Sequence, residues 1–244
     1  MAPSYHLVYQ DWNGSIESQA RNLVKIVEQQ WGLSDVKSVL DVSCGIGTQA
    51  IGLAGRGFQV TGSDLSVEAI TRARKEADQR GVKISFSVCD MRQAYEHHRR
   101  QFDLVISCDN SITHLLTNDD VLLALIQMYQ CTRRGGGCLL TVRDYDKEER
   151  GSGIVKLYGL REDKGTRFLI FQVWDFVGDI YDLSMYFIAD DHRSSVPETQ
   201  VMRSRYYAIG TDQLLGLMLE AGFRAVERLD GVFFQPVLVG TKQE

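Results

Sequence analysis

The stretch VLDVSCGIGTQA, residues 39–50, decides the fold. A short apolar run is followed by two glycines, Gly45 and Gly47, and helical spacing begins directly after them. Glycine allows a sharp backbone turn and a close approach to a ligand where a Cβ would intrude, and the start of a helix presents free backbone amides. The stretch therefore predicts a strand, a ligand-facing glycine turn and a helix.

The same alternation continues on both sides of this unit. Strands are predicted at 36–42, 58–62, 82–88, 102–107 and 138–142, and helices at 15–30, 66–80 and 118–131. Strands separated by helices in this order favour a parallel sheet with right-handed crossovers and with helices on both faces.

The pattern changes after residue 146. Three β-rich stretches at 167–177, 179–189 and 200–209 follow one another without a helix, and a helix at 211–221 and strands at 224–229 and 232–241 come after them. Consecutive strands joined by polar turns are typical of an antiparallel sheet. The predicted fold class is α/β: a doubly wound, mostly parallel, Rossmann-like seven-stranded sheet with an antiparallel β insertion before the penultimate core helix.

The composition excludes several classes of protein. The 244 residues are 44% hydrophobic and 24% charged, which is typical of a globular chain. A formal net charge of −5 offers no basic field for a nucleic acid, and no apolar run approaches the ~20 residues of a membrane span. The five cysteines include no Cys-x-x-Cys pair, so neither disulfides nor a metal site is expected. The N-terminus shows no leader pattern, which makes the cytoplasm the expected location.

Acidic residues at the predicted strand ends indicate a nucleoside ligand. Asp64 ends the second strand, where a carboxylate accepts hydrogen bonds from ribose hydroxyls. Asp90 and Met91 follow the third strand, where they would accept from an adenine amino group and cover its ring. Asp41 precedes the glycine turn and would repel a pyrophosphate, which favours a ligand that is positively charged or poor in phosphate. A nicotinamide-dependent reductase is the competing interpretation, but the sequence has no Tyr-x-x-x-Lys pair to support it.

This pattern resembles the class I S-adenosylmethionine-dependent methyltransferases. Across the chain, the sequence is most similar to the glycine and sarcosine N-methyltransferases. CDNSITHL, residues 108–115, is similar to that family's Asn-Ser-x-x-His-Leu, RDYD at 143–146 is similar to its Arg-Asn-Tyr-Asp, and SRYY at 204–207 is similar to its Ser-Tyr-Tyr.

The resemblance implies S-adenosylmethionine as the cofactor and S-adenosylhomocysteine as its product. It implies that Tyr9 and Trp12 are aromatics of the site, and it aligns Gln19 with a cofactor-binding arginine of the family. The residues predicted to bind the cofactor are Tyr9, Trp12, Gln19, Asp41, Cys44, Gly45, Gly47, Asp64, Leu65, Asp90, Met91, Cys108, Ser111 and His114.

The resemblance also implies an acceptor site, with Asn110, Arg143, Tyr206 and Tyr207 as its predicted catalytic residues. Arg143 would bind the carboxylate of an amino-acid acceptor, and Asn110 would orient the acceptor amine. Strand alternation admits only one of the two tyrosines to the site. Asp109 stands where the family usually has glycine, and its charge would favour an amine as the acceptor.

The expected function is transfer of a methyl group to the nitrogen of a small molecule, an amino acid such as glycine or sarcosine. The alternatives are a small-molecule O-methyltransferase, a methyltransferase of another specificity and a non-catalytic S-adenosylmethionine-binding protein. The expected partner is a small-molecule amine or amino acid, and binding to nucleic acid or to a membrane is not expected. The sequence does not decide whether the chain forms a homo-oligomer.

The chain is expected to form a single methyltransferase domain, 1–244. In it, an N-terminal helical cover (1–34) precedes a cofactor-binding core (35–146 and 211–244), and the β insertion (147–210) forms a lid over the substrate.

Overall fold

The structure, a computed structural model, describes residues 4–191 and 196–243. The predicted domain boundaries also include residues 1–3, 192–195 and 244, which lie outside the described residues. Two β-sheets organise the described chain: a seven-stranded sheet and a four-stranded antiparallel sheet. This arrangement confirms the predicted fold class.

The strands and helices follow the predicted alternation. The strands are β1 (Ser38–Asp41), β2 (Gln59–Asp64), β3 (Ser85–Val88), β4 (Phe102–Ser107), β5 (Thr132–Thr141), β6 (Ile154–Asp163), β7 (Thr166–Val177), β8 (Ile180–Asp190), β9 (Glu198–Tyr207), β10 (Arg224–Leu229) and β11 (Val237–Thr241). The helices are α1 (Trp12–Trp31), α2 (Thr48–Ala54), α3 (Val67–Gln79), α4 (Ala94–His98), α5 (Asn118–Cys131) and α6 (Thr211–Ala221).

The large sheet has the strand order β10-β11-β5-β4-β1-β2-β3. Its strands β1 to β5 pair in parallel, and β11 pairs antiparallel with both β5 and β10. Because parallel strands all point the same way, the loops that follow β1, β2, β3 and β4 meet along one edge of the sheet. These loops contain the predicted glycine turn and most of the predicted strand-end residues.

Alternation along the strands builds a core on each face of the large sheet. Val39 packs with α1, α2 and α3, whereas its neighbour Leu40 packs with α5 and α6 on the opposite face. Leu139 and Leu140 likewise pack on opposite faces of the sheet. Both faces are therefore covered, which explains why the central strands are continuous apolar runs.

The insertion forms the second sheet, with the order β6-β7-β8-β9 and antiparallel pairs throughout. Alternate residues of its inner face, among them Ile170, Trp174, Tyr181 and Leu183, are buried together with Tyr145 and Leu7. We call these four strands the lid sheet.

Several details differ from the sequence-based predictions: helix α4 was not predicted, and the final strand, predicted at 232–241, begins only at Val237. Strand β6 was not predicted, because Gly159, at φ +93°, breaks its alternation and shifts its register against β7. Strand β5 begins at Thr132 and includes three glycines, one of which, Gly137, lies so close to Trp31 that a Cβ would overlap the indole ring. Helix α6, which follows the insertion, is the last helix of the described chain and not the penultimate one.

Within residues 4–191 and 196–243, none of the helices combines the length and the apolar character that a bilayer span requires.

Candidate active site

One cavity of about 1090 Å³ lies between the loop edge of the large sheet, the N-terminal residues Tyr5 to Tyr9 and the inner face of the lid sheet. Its walls bring together most of the residues that the sequence predicted for the site. The predicted residues that line it are Tyr9, Cys44, Gly45, Asp64, Leu65, Asp90, Met91, Cys108, Asn110, Ser111, His114, Arg143 and Tyr206.

The glycine turn joins β1 to α2 and needs glycine twice. Gly45 has φ +53° and Gly47 has φ +97°, in the left-handed region that side-chain-bearing residues rarely adopt. A Cβ on Gly47 would lie 2.9 Å from Cδ1 of Ile51, whereas a Cβ on Gly45 would meet nothing within 4 Å. The backbone of Gly45 thus lies open to the cavity, as a close approach to a ligand requires.

Asp64 fixes this turn at the end of β2. Its Oδ2 accepts a hydrogen bond from the Gly45 amide at 2.8 Å, and its Oδ1 accepts one from the Ser66 amide at 2.9 Å. Each carboxylate oxygen has a second lone pair, so the group can still accept hydrogen bonds from a ligand in the cavity.

Asp90 lies after β3 and is held by an arginine. The Arg92 guanidinium donates to Asp90 Oδ2 at 2.7 Å and to Asp120 Oδ1 at 2.8 Å. These hydrogen bonds from Arg92, together with one from its backbone amide, lower the pKa of Asp90. Asp90 is therefore ionised at neutral pH, and Met91 lies beside it on the cavity wall.

Asp41 lies behind the cavity wall rather than on it. Its Oδ1 accepts a hydrogen bond from the Ser43 amide at 3.2 Å, and its Oδ2 is buried without a partner among the described residues. Burial raises the pKa of Asp41 from 3.8 to about 8, and the nearby carboxylates of Asp64 and Asp109 act in the same direction.

This shift predicts that Asp41 makes the ligand-free protein less stable as pH rises. Between pH ~4 and ~8 the folded state holds a proton that the unfolded state has lost, so the free energy of unfolding falls with rising pH. We expect Asp41→Asn to be more stable than the unchanged protein by ~1–3 kcal/mol at pH ~9, and by much less at pH ~5. Thermal melts of both proteins across this range measure the difference. Asp35→Asn, at an exposed position, is the control, and a difference that does not change with pH would contradict the assignment.

Tyr9 and Asp109 form a short hydrogen bond across the cavity wall. The Tyr9 hydroxyl donates to Asp109 Oδ2 at 2.6 Å, whereas Asp109 Oδ1 is buried without a hydrogen-bond partner among the described residues. Burial raises the pKa of Asp109, although the Tyr9 hydroxyl and the nearby Gln49 side chain oppose this effect. Burial and the neighbouring Asp109 raise the pKa of Tyr9 well above its ordinary value, so the phenol stays protonated.

Asn110 follows β4 in a left-handed conformation, at φ +66°. Its Oδ1 accepts a hydrogen bond from the Arg143 amide at 3.0 Å, and its Nδ2 donates to the Tyr145 hydroxyl at 2.6 Å. Tyr145 is in turn 3.0 Å from the Tyr181 hydroxyl of the lid sheet. The Asn110 side chain therefore joins the loops after β4 and β5 to the lid sheet.

Arg143 lies at the end of β5 against the lid sheet. Its Nη1 donates to Glu148 at 2.9 Å, its guanidinium lies 4.8 Å from the centre of the Trp174 ring, and its Nε is buried without a partner among the described residues. Burial alone would lower the pKa of Arg143, but the hydrogen bond to Glu148 and the neighbouring Tyr158 raise it. The guanidinium is therefore charged and keeps unused donors at the cavity wall.

The lid sheet separates the two candidate tyrosines. Tyr206 lines the cavity and stacks on Tyr181, with ring centres 5.3 Å apart. The centres of the Tyr206 and His114 rings are 4.2 Å apart. Tyr207 lies on the opposite side of β9, where its hydroxyl donates to Asn118 at 2.8 Å. The structure therefore brings Tyr206, and not Tyr207, to the site.

Four further predicted residues lie behind the cavity wall. Asp41 is buried as described above, and Gly47 packs against Ile51. Trp12 donates through Nε1 to the Thr48 hydroxyl at 2.9 Å, and Gln19 accepts a hydrogen bond from Gln49 at 2.6 Å. Thr48 and Gln49 reach the cavity wall themselves, so Trp12 and Gln19 contact residues of the site rather than the cavity.

Several lining residues were not predicted. They lie on the inner face of the lid sheet, and they include Tyr158, Gln172, Trp174, Tyr181, Leu183, Met185 and Met202. Alternation along β7 and β8 contained a signal for some of them, because Gln172 and Trp174 are two residues apart and therefore share a face. Nothing in the sequence pattern showed which face of the insertion meets the core.

Comparison with known proteins gives the site its context. Residues 39–136 match a family model described as a methyltransferase domain. The chain is 31% identical over 146 residues to a glycine/sarcosine N-methyltransferase of Parasynechococcus marenigrum (strain WH8102), and this match covers 60% of the chain and 50% of that protein. A glycine/sarcosine N-methyltransferase of Aphanothece halophytica is 26% identical over 219 residues, which cover 88% of the chain and 76% of that protein. The chain thus spans about half the length of the first of these relatives.

A solved structure extends the likeness to the whole fold. The crystal structure of DesVI from Streptomyces venezuelae superposes with a TM-score of 0.84 at 21% identity, and the match covers 98% of this chain and 97% of that one. The matched methyltransferase domain contains the glycine turn, Asp64 and Asp90, all at the cavity. The chain is therefore similar to methyltransferases, in sequence over residues 39–136 and in fold over nearly its whole length.

Proposed function

We propose that this protein transfers a methyl group from S-adenosylmethionine to the nitrogen of a small amine, an amino acid such as glycine or sarcosine. The observation that carries the proposal is one cavity whose wall includes both Gly45 and Asp64, which we call its donor end, and Asp109 and Arg143, which we call its acceptor end. Donor and acceptor can therefore lie in the same cavity.

The donor end fits a nucleoside with a positively charged sulfur. The open backbone at Gly45 gives room for close approach, Asp64 would accept from ribose hydroxyls, and Asp90 with Met91 would hold the adenine. The sulfonium supplies an activated methyl group. The carboxylates of Asp64 and Asp109 on the cavity wall suit a cationic ligand.

The acceptor end fits an amine that carries its own carboxylate. Asp109 offers negative charge for an ammonium group, and Arg143 offers unused donors for a carboxylate. The loop after β4 positions both Asp109 and Arg143. Asp109 belongs to this loop, and the Asn110 side chain in the same loop accepts a hydrogen bond from the Arg143 amide. This pairing of opposite charges supports a zwitterion such as an amino acid.

Nitrogen suits this cavity better than oxygen as the methyl acceptor. A hydroxyl acceptor needs a strong base, yet burial raises the pKa of Tyr5, Tyr9 and Tyr206, so these phenols stay protonated. An amine needs only the loss of a proton from an ammonium, after which its lone pair is already a good nucleophile. Holding nucleophile and methyl group in line then supplies most of the rate enhancement.

The domain organisation follows from this assignment. Residues 35–146 and 211–244 would bind the cofactor, residues 1–34 would cover it, and the insertion at 147–210 would act as a lid that excludes water from the acceptor.

The experiment has a binding step and a transfer step. Calorimetric titration with S-adenosylhomocysteine, and separately with NAD and NADP, tests the donor end; we expect tight binding of the first alone. Methyl transfer is then followed with glycine, sarcosine and dimethylglycine, and with catechol as a hydroxyl acceptor. Methylation of an amino acid supports the proposal, and transfer to catechol alone favours the O-methyltransferase. Binding without transfer to any of these acceptors withdraws the amino-acid substrate and leaves a methyltransferase of another specificity or a non-catalytic binding protein.

A further inference from the structure

We propose that Tyr9 and Asp109 act as a pair that accepts the proton of the acceptor ammonium, with Tyr9 in contact with the amine and Asp109 as the final base. The proposal rests on the proposed function, amine methylation, and it adds how the amine becomes a nucleophile. Neither residue alone would suffice, since Tyr9 keeps its proton at neutral pH, Asp109 Oδ2 lies behind the Tyr9 hydroxyl and Asp109 Oδ1 is buried.

The hydrogen bonds around Tyr9 fix the direction of proton flow. A phenol has one proton, and here Tyr9 gives it to Asp109 Oδ2 at 2.6 Å. The hydroxyls of Thr48 and Tyr9 are 3.5 Å apart, and because the single Tyr9 proton goes to Asp109, Thr48 is the donor in this long contact, while it accepts from Trp12 Nε1. Every proton in this chain points towards Asp109. The remaining lone pair of the Tyr9 hydroxyl is free to accept an N–H from a ligand.

Both members of the pair are held at the backbone. The Tyr9 carbonyl accepts a hydrogen bond from Arg161 Nε of the lid sheet at 3.0 Å. The Asp109 amide donates to the Thr141 hydroxyl at 2.8 Å, and the amide of the next residue donates to the Thr141 carbonyl at 2.9 Å. Asp109 has φ +55°, a conformation that few residues adopt and that Asp and Asn tolerate better than most. A strained, well-fixed residue of this kind is typical of a functional position.

The surroundings leave Asp109 without a counterion. The ionisable side chains that face it are Tyr5 and Tyr9 from the N-terminal residues, Asp41 and Cys108 from the ends of β1 and β4, and Tyr158 from the lid sheet. None of the salt bridges within the described residues includes Asp109. A ligand ammonium would provide the missing positive charge.

The proton transfer balances without another reactant. One N–H bond of the ammonium breaks and its proton joins the Tyr9 oxygen, while the Tyr9 proton moves to Asp109. This leaves a neutral amine, a neutral phenol and a neutral carboxylic acid. The amine lone pair then forms the new C–N bond, the bonding pair of the S–CH₃ bond stays on sulfur, and Asp109 returns its proton to solvent when product leaves.

The test compares pH profiles of kcat/KM for Asp109→Asn and Tyr9→Phe with the unchanged enzyme, using sarcosine as acceptor. We expect both variants to lose ~10²-fold near pH 7, because the proton acceptor is gone or disconnected. The loss should shrink to less than ~10-fold near pH 10, where the amine loses its proton to water unaided. The double variant should lose no more than the single ones, since both interrupt the same path.

Controls separate this role from a structural one. S-adenosylhomocysteine affinity and thermal melts show whether each variant keeps its fold, and Asp119→Asn, at an exposed position in α5, is the matched acidic control. If Asp109→Asn does not fold, Tyr9→Phe carries the test alone. A loss that is equal at every pH, or an unchanged profile, overturns the pair. An unchanged enzyme that methylates no amine overturns the proposed function itself, which is a different result.

Discussion

Arg143→Ala is expected to lower kcat/KM for an amino-acid acceptor by ~10²–10³-fold and to leave the affinity for S-adenosylhomocysteine nearly unchanged. The guanidinium is charged and fixed by Glu148 and the Trp174 ring, so it can bind a carboxylate without further ordering. Truncating one partner of a largely desolvated charge pair costs ~2–5 kcal/mol, which is the source of the expected factor. Initial rates with glycine and sarcosine, together with calorimetry of the donor product, measure both effects.

Two controls make this result specific. Arg150→Ala removes a guanidinium that pairs with Asp179 away from the cavity, and it should change the rate by less than ~2-fold. On the ligand side, an amine without a carboxylate, such as methylamine, should be methylated equally well by Arg143→Ala and by the unchanged enzyme. Equal losses with sarcosine and methylamine would show that Arg143 does not bind the acceptor carboxylate.

Asp64→Ala is expected to weaken the binding of S-adenosylhomocysteine by ~10²–10³-fold. The change removes the carboxylate proposed to bind the ribose, and it also frees the amides of Gly45 and Ser66, which the carboxylate now holds. Loss of a charged hydrogen-bonding group costs ~1.5–3 kcal/mol, and loosening of the glycine turn adds to that. Isothermal titration of the folded variant measures the affinity directly.

Asp78→Ala is the matched control, because Asp78 is an exposed acid on α3, the helix that follows Asp64. Its effect on affinity should be below ~2-fold. Asp64→Asn separates the two causes, since an amide oxygen can still accept one backbone hydrogen bond but carries no charge for the ligand. If Asp64→Ala kept its affinity, the proposed ribose contact would be wrong.

The position of the site was predictable because it depends on sequence patterns and on one rule of topology. The glycine turn, Asp64 and Asp90 each follow a strand that the apolar runs predicted, and parallel strands bring their carboxyl ends to the same edge. The residues at the ends of these strands therefore lie close together, however the side chains of the core pack. The resemblance added Asn110, Arg143 and the tyrosines, which also line one cavity apart from Tyr207.

The pairing of side chains was not predictable in the same way. Asn110 lies on the cavity wall as expected, but the sequence did not indicate that its side chain also binds the Arg143 backbone and Tyr145. Gln19 was expected to reach the cofactor, yet it binds Gln49 behind the cavity wall. A local pattern assigns a residue to an element and a face, but the rotation of each side chain depends on neighbours that are far away in sequence.

By itself, the sequence determined the alternation of strands and helices, the glycine turn and the edge of the sheet at which the predicted site residues lie, because these follow from periodicity and backbone conformation over a few residues. Only the tertiary structure decided that Tyr206 and not Tyr207 enters the cavity, that Tyr9 binds Asp109 and that Arg143 pairs with Glu148. The physical reason is the range of the interactions. Burial of a lid sheet against a core, and hydrogen bonds between residues such as Tyr9 and Asp109, form only when distant segments pack together.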